Sequence, residues 1–137
     1  MKRPLLFFFA SIIYTLAIGQ EQEPQLQKSI YFGGGSYYID DQQIVELEEW
    51  IKSIPNLEQY EINVFSHTDN IGGVEYNQWL SKMRSQAAVL QLILLDIPDE
   101  MIFIKDFGLH NPNFSNNTWE GRQRNRRVDI ILAPLTL

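Results

Sequence analysis

A strand pattern that runs through a short turn into a long helix pattern constrains the fold of this chain most strongly. Residues 59–66 alternate between two faces, with Tyr60, Ile62 and Val64 pointing the same way, as in a strand with one face on a core. Two adjacent glycines lie in the turn, and residues 75–95 then repeat apolar side chains at helical spacing. Side chains in such a turn lie at the carboxyl end of a strand, where α/β folds commonly bind ligands.

Three further strands and a second main helix are predicted around this unit. Strands are expected at residues 29–32, 101–107 and 127–132, and a helix at residues 40–54, with a short last connection that favours an antiparallel neighbour for the final strand. The order strand, helix, strand, helix, strand, strand predicts an α/β (α+β) two-layer sandwich, with a mixed four-stranded sheet carrying two main helices on one face. The apolar stripe of the long helix is predicted at Leu80, Met83, Ala87, Leu90 and Leu94.

The N-terminal segment is expected to lie outside this fold. A short basic start precedes an apolar run at residues 5–17, and Ala17 and Gly19 provide the small residues that a signal peptidase reads. This pattern predicts a signal peptide over residues 1–19, because the run is shorter than the ~20 residues that span a bilayer; an uncleaved anchor is the alternative. Residues 20–28 are polar and predict a flexible leader. The mature protein is therefore expected in the periplasm or cell envelope, without a membrane anchor of its own.

Composition excludes several classes of protein. The chain has no cysteine, so it is not a disulfide-stapled scaffold and has no site for a lipid anchor behind the signal. Its formal net charge of −6 argues against nucleic acid as a partner, because phosphate binding needs a basic face.

An acid and a base are placed on either side of the turn. Asp69 follows the strand, while Asn77 and Arg84 are seven residues apart on the long helix and therefore share a face. Both are predicted at the border of the apolar stripe, where an arginine buries its stem and keeps its guanidinium available. This arrangement suits a zwitterion such as an amino acid. The spacing equally allows Asp69 to brace the turn or to form an ordinary ion pair with Arg84.

A second polar cluster lies at residues 120–127 and is rich in arginine. It predicts either a local positive patch on an acidic protein or simply a solvated turn before the last strand. Arg126 is in phase with Val128 and should lean toward the core face, whereas Arg127 should lean away.

Catalytic or metal chemistry is not predicted. Ser66 and His67 are adjacent on a strand and should point to opposite faces, which is poor geometry for a nucleophile and its base. With only His67 and His110 as histidines and no cysteine, the spacing gives no zinc signature. We therefore predict a binding protein that is not an enzyme and has no cofactor or metal; a hydrolase that uses Ser66 or His67 is the minor alternative.

Two separated motifs carry a resemblance to a known family. The first motif comprises residues 64–70, which read VFSHTDN, and residues 77–84, which read NQWLSKMR. The second comprises residues 120–130, which read EGRQRNRRVDI. In this order they resemble the motifs of the OmpA-like peptidoglycan-binding domain, which OmpA C-terminal regions, Pal lipoproteins and MotB stator proteins share. The resemblance predicts one such domain over residues 29–134.

The resemblance implies non-covalent binding of peptidoglycan through the diaminopimelate of its stem peptide. By position in the motifs, Asp69 would hold the ammonium group and Arg84 the carboxylate. Asn77 would add a hydrogen bond, Arg126 would line the site, and Thr68 would shape the turn.

A different partner is the open alternative. The domain would then keep the OmpA-like fold as an adaptor or structural protein that binds an envelope or outer-membrane protein rather than the wall. The Gly-rich segment at residues 33–36 is looser than the usual family entry to the first helix, which often borders the ligand. It is read as a loop, because it lacks the spacing of a phosphate cradle.

Overall fold

The computed structural model describes residues 24–136, so the predicted signal peptide and the first four residues of the predicted leader, 20–23, lie outside the described part. Four strands and three α-helices make up the fold within this range. In chain order they are β1 (Leu26–Tyr31), α1 (Asp41–Lys52), β2 (Tyr60–Ser66), α2 (Val74–Leu94), β3 (Ile102–Asp106), α3 (Trp119–Asn125) and β4 (Arg127–Pro134).

The strands form one mixed sheet in the order β1-β4-β2-β3. β2 and β3 are parallel and are joined by α2, whereas β4 is antiparallel to both of its neighbours, β1 and β2. The predicted mixed four-stranded sheet is confirmed. The final strand is antiparallel as expected, but it lies between β1 and β2 rather than beside β3. The prediction of a short last connection is wrong. Residues 107–126 form a long connection that carries the chain past β2.

One face of the sheet forms the core against α1 and α2, which confirms the two-layer arrangement. The register places the inward side chains of neighbouring strands side by side. Ile30 of β1 pairs with Val128 of β4, and Val64 of β2 pairs with Ile130 of β4. Leu47 of α1 packs into the same cluster. The other buried members from the sheet and helices are Ile51, Tyr60, Ile62, Ala88, Val89, Leu92 and Leu132.

The predicted apolar stripe of α2 is wrong in its second half. Leu80 is buried, but Leu90 and Leu94 are 54% and 67% exposed. The helix instead buries a face that is polar near its N-terminus, at Asn77, Ser81, Arg84 and Ser85, and apolar only further on, at Ala88, Val89 and Leu92. The N-terminal half of α2 lies over the loops at the end of the sheet, where Ser81 Oγ accepts the Gly108 N–H at 3.0 Å. Backbone groups there need polar partners.

Local hydrogen bonds fix how α1 begins. Asp40 is the N-cap, as predicted, and its carboxylate accepts the Gln43 N–H at 3.0 Å. These hydrogen bonds from Gln43 lower the pKa of Asp40. The Gln43 side chain also donates to and accepts from the backbone of Tyr31, so α1 is tied to the end of β1.

β1 starts earlier than the sequence indicates. It begins at Leu26, within the stretch assigned to the leader, because Leu26 and Lys28 pair across to Leu132 and Ile130 of β4. No helix within residues 24–136 is long and apolar enough to cross a bilayer.

Candidate functional site

The candidate site lies at the end of the sheet where β1 and β2 finish and β4 starts. Backbone hydrogen bonds join these ends: the Phe32 N–H donates to the Arg126 carbonyl at 2.9 Å, and the His67 N–H donates to the Arg127 carbonyl at 2.8 Å. The antiparallel insertion of β4 thus brings the second sequence motif against the first. The Asp69 turn and Arg126, far apart in the chain, become neighbours.

Asp69 is held by the turn that follows β2. Its Oδ1 accepts the Ile71 N–H at 3.1 Å, and its Oδ2 lies 3.3 Å from Nη1 of Arg126. Thr68, which is 2% exposed, donates its hydroxyl to the Asp69 carbonyl at 2.9 Å and thereby shapes the turn. The separation from Arg126 exceeds the about 2.7–2.9 Å of a tight charge-assisted hydrogen bond. The carboxylate is therefore oriented firmly by the turn and only loosely by the arginine.

Arg126 stands at the start of β4 with its side chain 13% exposed. Its Nε donates to the Phe32 carbonyl at 3.0 Å, which fixes the guanidinium beside the end of β1. The inward lean predicted from its phase with Val128 agrees with this position.

Arg84 is not at the border of a stripe, because it is fully buried. Its guanidinium donates to three backbone carbonyls, those of Ser36 at 2.8 Å, His67 at 3.0 Å and Gly33 at 3.1 Å. Burial lowers the pKa of Arg84 to about 10, with the Asp69 charge opposing this shift and Arg126 adding to it. Arg84 is therefore a buried cation at neutral pH that braces two loops, and the prediction of a freely available guanidinium is wrong.

Asn77 is buried beside the same turn. Its Nδ2 donates to the carbonyls of Ile71 and Gly73 at 3.0 and 3.1 Å, and these contacts assign the amide orientation. Its Oδ1 is buried and has no hydrogen-bond partner within residues 24–136. A buried acceptor without a donor is uncommon in folded proteins.

The Gly-rich segment is a structural part of the site, which the sequence pattern did not indicate. The carbonyls of Gly33 and Ser36 receive two of the hydrogen bonds from Arg84. Gly35 has a φ of +64°, a conformation that glycine adopts without strain. The segment presents carbonyl oxygens to a cation rather than N–H groups to a phosphate. The signal that could have located it is the need of any buried arginine for several acceptors.

Ser66 and His67 point to opposite faces of the sheet, as predicted. The Ser66 hydroxyl donates to Oδ1 of Asp106 at 2.8 Å. The His67 ring instead stacks on Phe107, with ring centres 4.9 Å apart, and its Nε2 lies 3.7 Å from Asp129. The two side chains do not form a nucleophile–base pair.

The arginine-rich cluster at residues 120–127 is directed largely inward. Arg127 leans away from the core face, as predicted, but it is only 3% exposed, and its Nε contacts both carboxylate oxygens of Asp129 at 3.1 and 3.0 Å. Arg122 donates to the Asn116 carbonyl at 2.9 Å. With Arg126 also engaged, the cluster mainly fixes the loop and the start of β4 rather than forming a solvent-facing patch. No group of three or more metal-ligating side chains occurs within the described range.

The stability of the fold should decrease as the pH is lowered, because of His67. Burial, with Arg127 adding to it, lowers the pKa of His67 to about 4, although Asp129 opposes the shift. As the pH is lowered, His67 therefore binds a proton at about pH 6.5 in the unfolded chain but only at about pH 4 in the folded protein. We expect this group to remove about 2 kcal/mol of unfolding free energy between pH 7 and pH 5. Urea unfolding at both values measures it. His67→Gln should show a smaller loss, and an equal loss in both proteins would contradict the assignment.

A family model matches most of the described fold. The model of the OmpA family matches residues 31–126, which include the first motif, the turn between β2 and α2, and the second motif as far as Arg126. The chain belongs to the OmpA family. Relatives with established names include the probable lipoprotein YiaD of Escherichia coli K12, 39% identical over 54% of this chain and 34% of YiaD. Outer membrane protein A of Escherichia fergusonii is 30% identical over 80% of this chain and 45% of that protein.

The OmpA-family chain thus spans less than half the length of these relatives. The names of these two relatives describe a lipoprotein and an outer-membrane protein.

Solved structures of similar proteins share the fold. The peptidoglycan-associated lipoprotein of Burkholderia pseudomallei superposes with a TM-score of 0.71 at 28% identity, covering 77% of this chain and 89% of that one. The C-terminal domain of Helicobacter pylori MotB gives a TM-score of 0.69 at 22% identity, covering 80% of this chain and 86% of that one, and it supports the fold alone. The predicted fold class and family are both confirmed.

Proposed function

We propose that this chain binds peptidoglycan non-covalently through the diaminopimelate of an uncrosslinked stem peptide. The observation that carries the proposal is the convergence of the Asp69 carboxylate with two arginines, Arg84 and Arg126, at one end of the sheet. Membership of the OmpA family supports it, as does the likeness to a lipoprotein whose name states its association with peptidoglycan.

The chemistry of the ligand matches the loose contact between Asp69 and Arg126. A free diaminopimelate side chain ends in an ammonium and a carboxylate on one carbon. The ammonium can take the place of Arg126 at Asp69, while the carboxylate takes the place of Asp69 at Arg126. Because the two protein groups are 3.3 Å apart, little favourable contact is lost when the ligand replaces it. Both charges stay paired throughout the exchange.

The other site residues have supporting roles in this proposal. Arg84 lies behind the pair and provides a fixed positive charge that favours the ligand carboxylate, while its hydrogen bonds hold the Gly-rich segment in place. Asn77 supports the turn through its hydrogen bonds to the Ile71 and Gly73 carbonyls. Thr68 keeps the turn in the shape that presents Asp69.

Asp69→Asn should weaken binding to a diaminopimelate-containing stem peptide by about thirtyfold, or about 2 kcal/mol. Asparagine keeps an oxygen that can accept the Ile71 N–H, so the turn should stay folded while the charge that attracts the ammonium is lost. Isothermal titration calorimetry with purified peptide measures the change, and sedimentation with purified sacculi tests the natural polymer. Asp99→Asn makes the same chemical change at an exposed position as a control.

Equal binding by the wild type and Asp69→Asn would reject the site. A stem peptide with lysine in place of diaminopimelate should bind more weakly, because it lacks the carboxylate. Absence of binding to any sacculus, together with cross-linking to an envelope protein, would favour the adaptor alternative. Release of soluble fragments from sacculi would indicate a hydrolase instead.

The proposal places the protein in the periplasm or cell envelope. Its relatives are named as outer-membrane proteins and lipoproteins, which agrees with the signal peptide predicted for residues 1–19.

A further inference from the structure

Three aromatic side chains form an exposed cluster beside the candidate site. Tyr37, Tyr76 and Trp79 are 43%, 44% and 47% exposed. Their rings touch: Tyr37 meets Trp79 edge to face with centres 6.0 Å apart, and Tyr76 lies tilted against Trp79 at 5.8 Å. Tyr76 and Trp79 are three residues apart on α2 and therefore share a helix face. We call these three residues the aromatic platform.

The aromatic platform is continuous with the site through Tyr76. A Cβ added to Gly72, in the turn after Asp69, would lie 2.8 Å from the Tyr76 ring, and one added to Gly35 would lie 3.2 Å from its hydroxyl. The Tyr76 side chain therefore fits between the turn and the Gly-rich segment. It also lies close enough to Arg84 to raise the pKa of that arginine slightly, against the larger lowering by burial.

Two glycines and two ring contacts hold these side chains in place although about half of each is open to solvent. Neither the core nor the hydrogen bonds described for the site require rings at these positions. Aromatic rings with a negative face and a polar tip attract the C–H groups of a ligand and leave its polar edges in water. A sugar ring has this character, because its axial C–H groups make one face apolar and its hydroxyl and acetamido groups lie around the edge.

We propose that the aromatic platform binds an N-acetylated amino sugar of the glycan strand that bears the bound stem peptide. The inference rests on the proposed peptidoglycan function. Diaminopimelate is the third residue of the stem, so an extended stem places the sugar that carries it roughly 10 Å or more from the bound end of diaminopimelate. Tyr76 adjoins the Asp69 turn, and its ring contacts that of Trp79 at 5.8 Å. A peptide seated at Asp69 can therefore bring its sugar to the aromatic platform.

The test compares two ligands that share one stem peptide, the free peptide and the disaccharide-peptide. Wild-type protein should bind the disaccharide-peptide roughly five- to tenfold more tightly in calorimetric titrations. Trp79→Ala and Tyr37→Ala should remove most of this gain and leave the affinity for the free peptide unchanged. Trp119→Ala, which alters a 60% exposed tryptophan on α3, is the matched control and should retain the gain. Circular dichroism confirms that each variant is folded.

The outcomes separate this inference from the function on which it rests. If wild-type protein binds both ligands equally, the aromatic platform is overturned and the diaminopimelate site stands. If Trp79→Ala weakens the free peptide as much as the disaccharide-peptide, the tryptophan serves the peptide and the sugar assignment fails. If Trp79→Ala instead dissociates a dimer seen in sedimentation, the cluster is an interface between two copies of this chain. If neither ligand binds, both proposals are rejected.

Discussion

Replacing Arg84 with methionine should lower the free energy of unfolding by about 3–5 kcal/mol. Methionine fills much of the space of the arginine stem, so the main loss is the guanidinium. Its removal takes the donor from the carbonyls of Ser36 and His67 and one of two donors from the Gly33 carbonyl, which also accepts the Ser36 N–H at 3.1 Å. Each buried unpaired carbonyl costs about 1–3 kcal/mol, while the relief from burying a cation offsets part of the sum.

Urea unfolding followed by circular dichroism measures this effect. Lys82→Met removes a cation from an exposed position two residues away on the same helix and should change stability little. Arg84→Lys should recover only part of the loss, because an ammonium cannot reach three divergent carbonyls as a planar guanidinium does. If Arg84→Met and Lys82→Met unfold at the same urea concentration, the arginine is not the brace described above.

Gly121→Ala should destabilise the protein by about 3 kcal/mol or more, although alanine normally favours a helix. A Cβ at this position would lie 1.8 Å from the carbonyl oxygen of Ser115 and 2.9 Å from Oγ1 of Thr118. The first atom belongs to the backbone, so the loop or α3 must move. The move would break the cap in which the Thr118 hydroxyl accepts the Gly121 N–H. Because α3 leads directly into Arg126, diaminopimelate binding should weaken as well.

Thermal unfolding and peptide titration test this second expectation. Gln123→Ala introduces the same residue at an exposed position of α3 and should be neutral or slightly stabilising. A Gly121→Ala protein with unchanged stability would show that the loop can open without cost, and the close packing of α3 would then have no role in placing Arg126.

The regular part of the fold could be predicted because apolar spacing and burial agree there. In β2, Tyr60, Ile62 and Val64 alternate and are all buried on the core side. Asp40 could be named as the cap of α1 for a similar reason, since it bonds a residue only three positions away. Local signals of this kind do not depend on the rest of the chain.

The interior of the site could not be predicted, because its partners are distant in sequence. The buried Arg84 side chain donates hydrogen bonds to the carbonyls of Gly33 and Ser36, about 50 residues earlier in the chain. No periodic sequence pattern indicates contacts of this kind. Periodicity assigned Leu90 and Leu94 to the core because they are apolar, yet they face solvent. The motif resemblance assigned Asp69 and Arg126 to one site. Only the position of β4 in the sheet explains how their side chains come within 3.3 Å of each other.

The central place of β4 has a consequence for how the protein reaches its working form. β1 has β4 as its sheet neighbour, and the Ser29–Asp129 side-chain hydrogen bond joins residues 100 positions apart. Such long-range closure carries a high entropic cost, so it is slow and is completed only with the last strand in place. A chain that emerges from its N-terminus has neither a finished sheet nor the Arg126 side of its site until β4 arrives. The candidate site is therefore complete only when the last strand of the fold is in place.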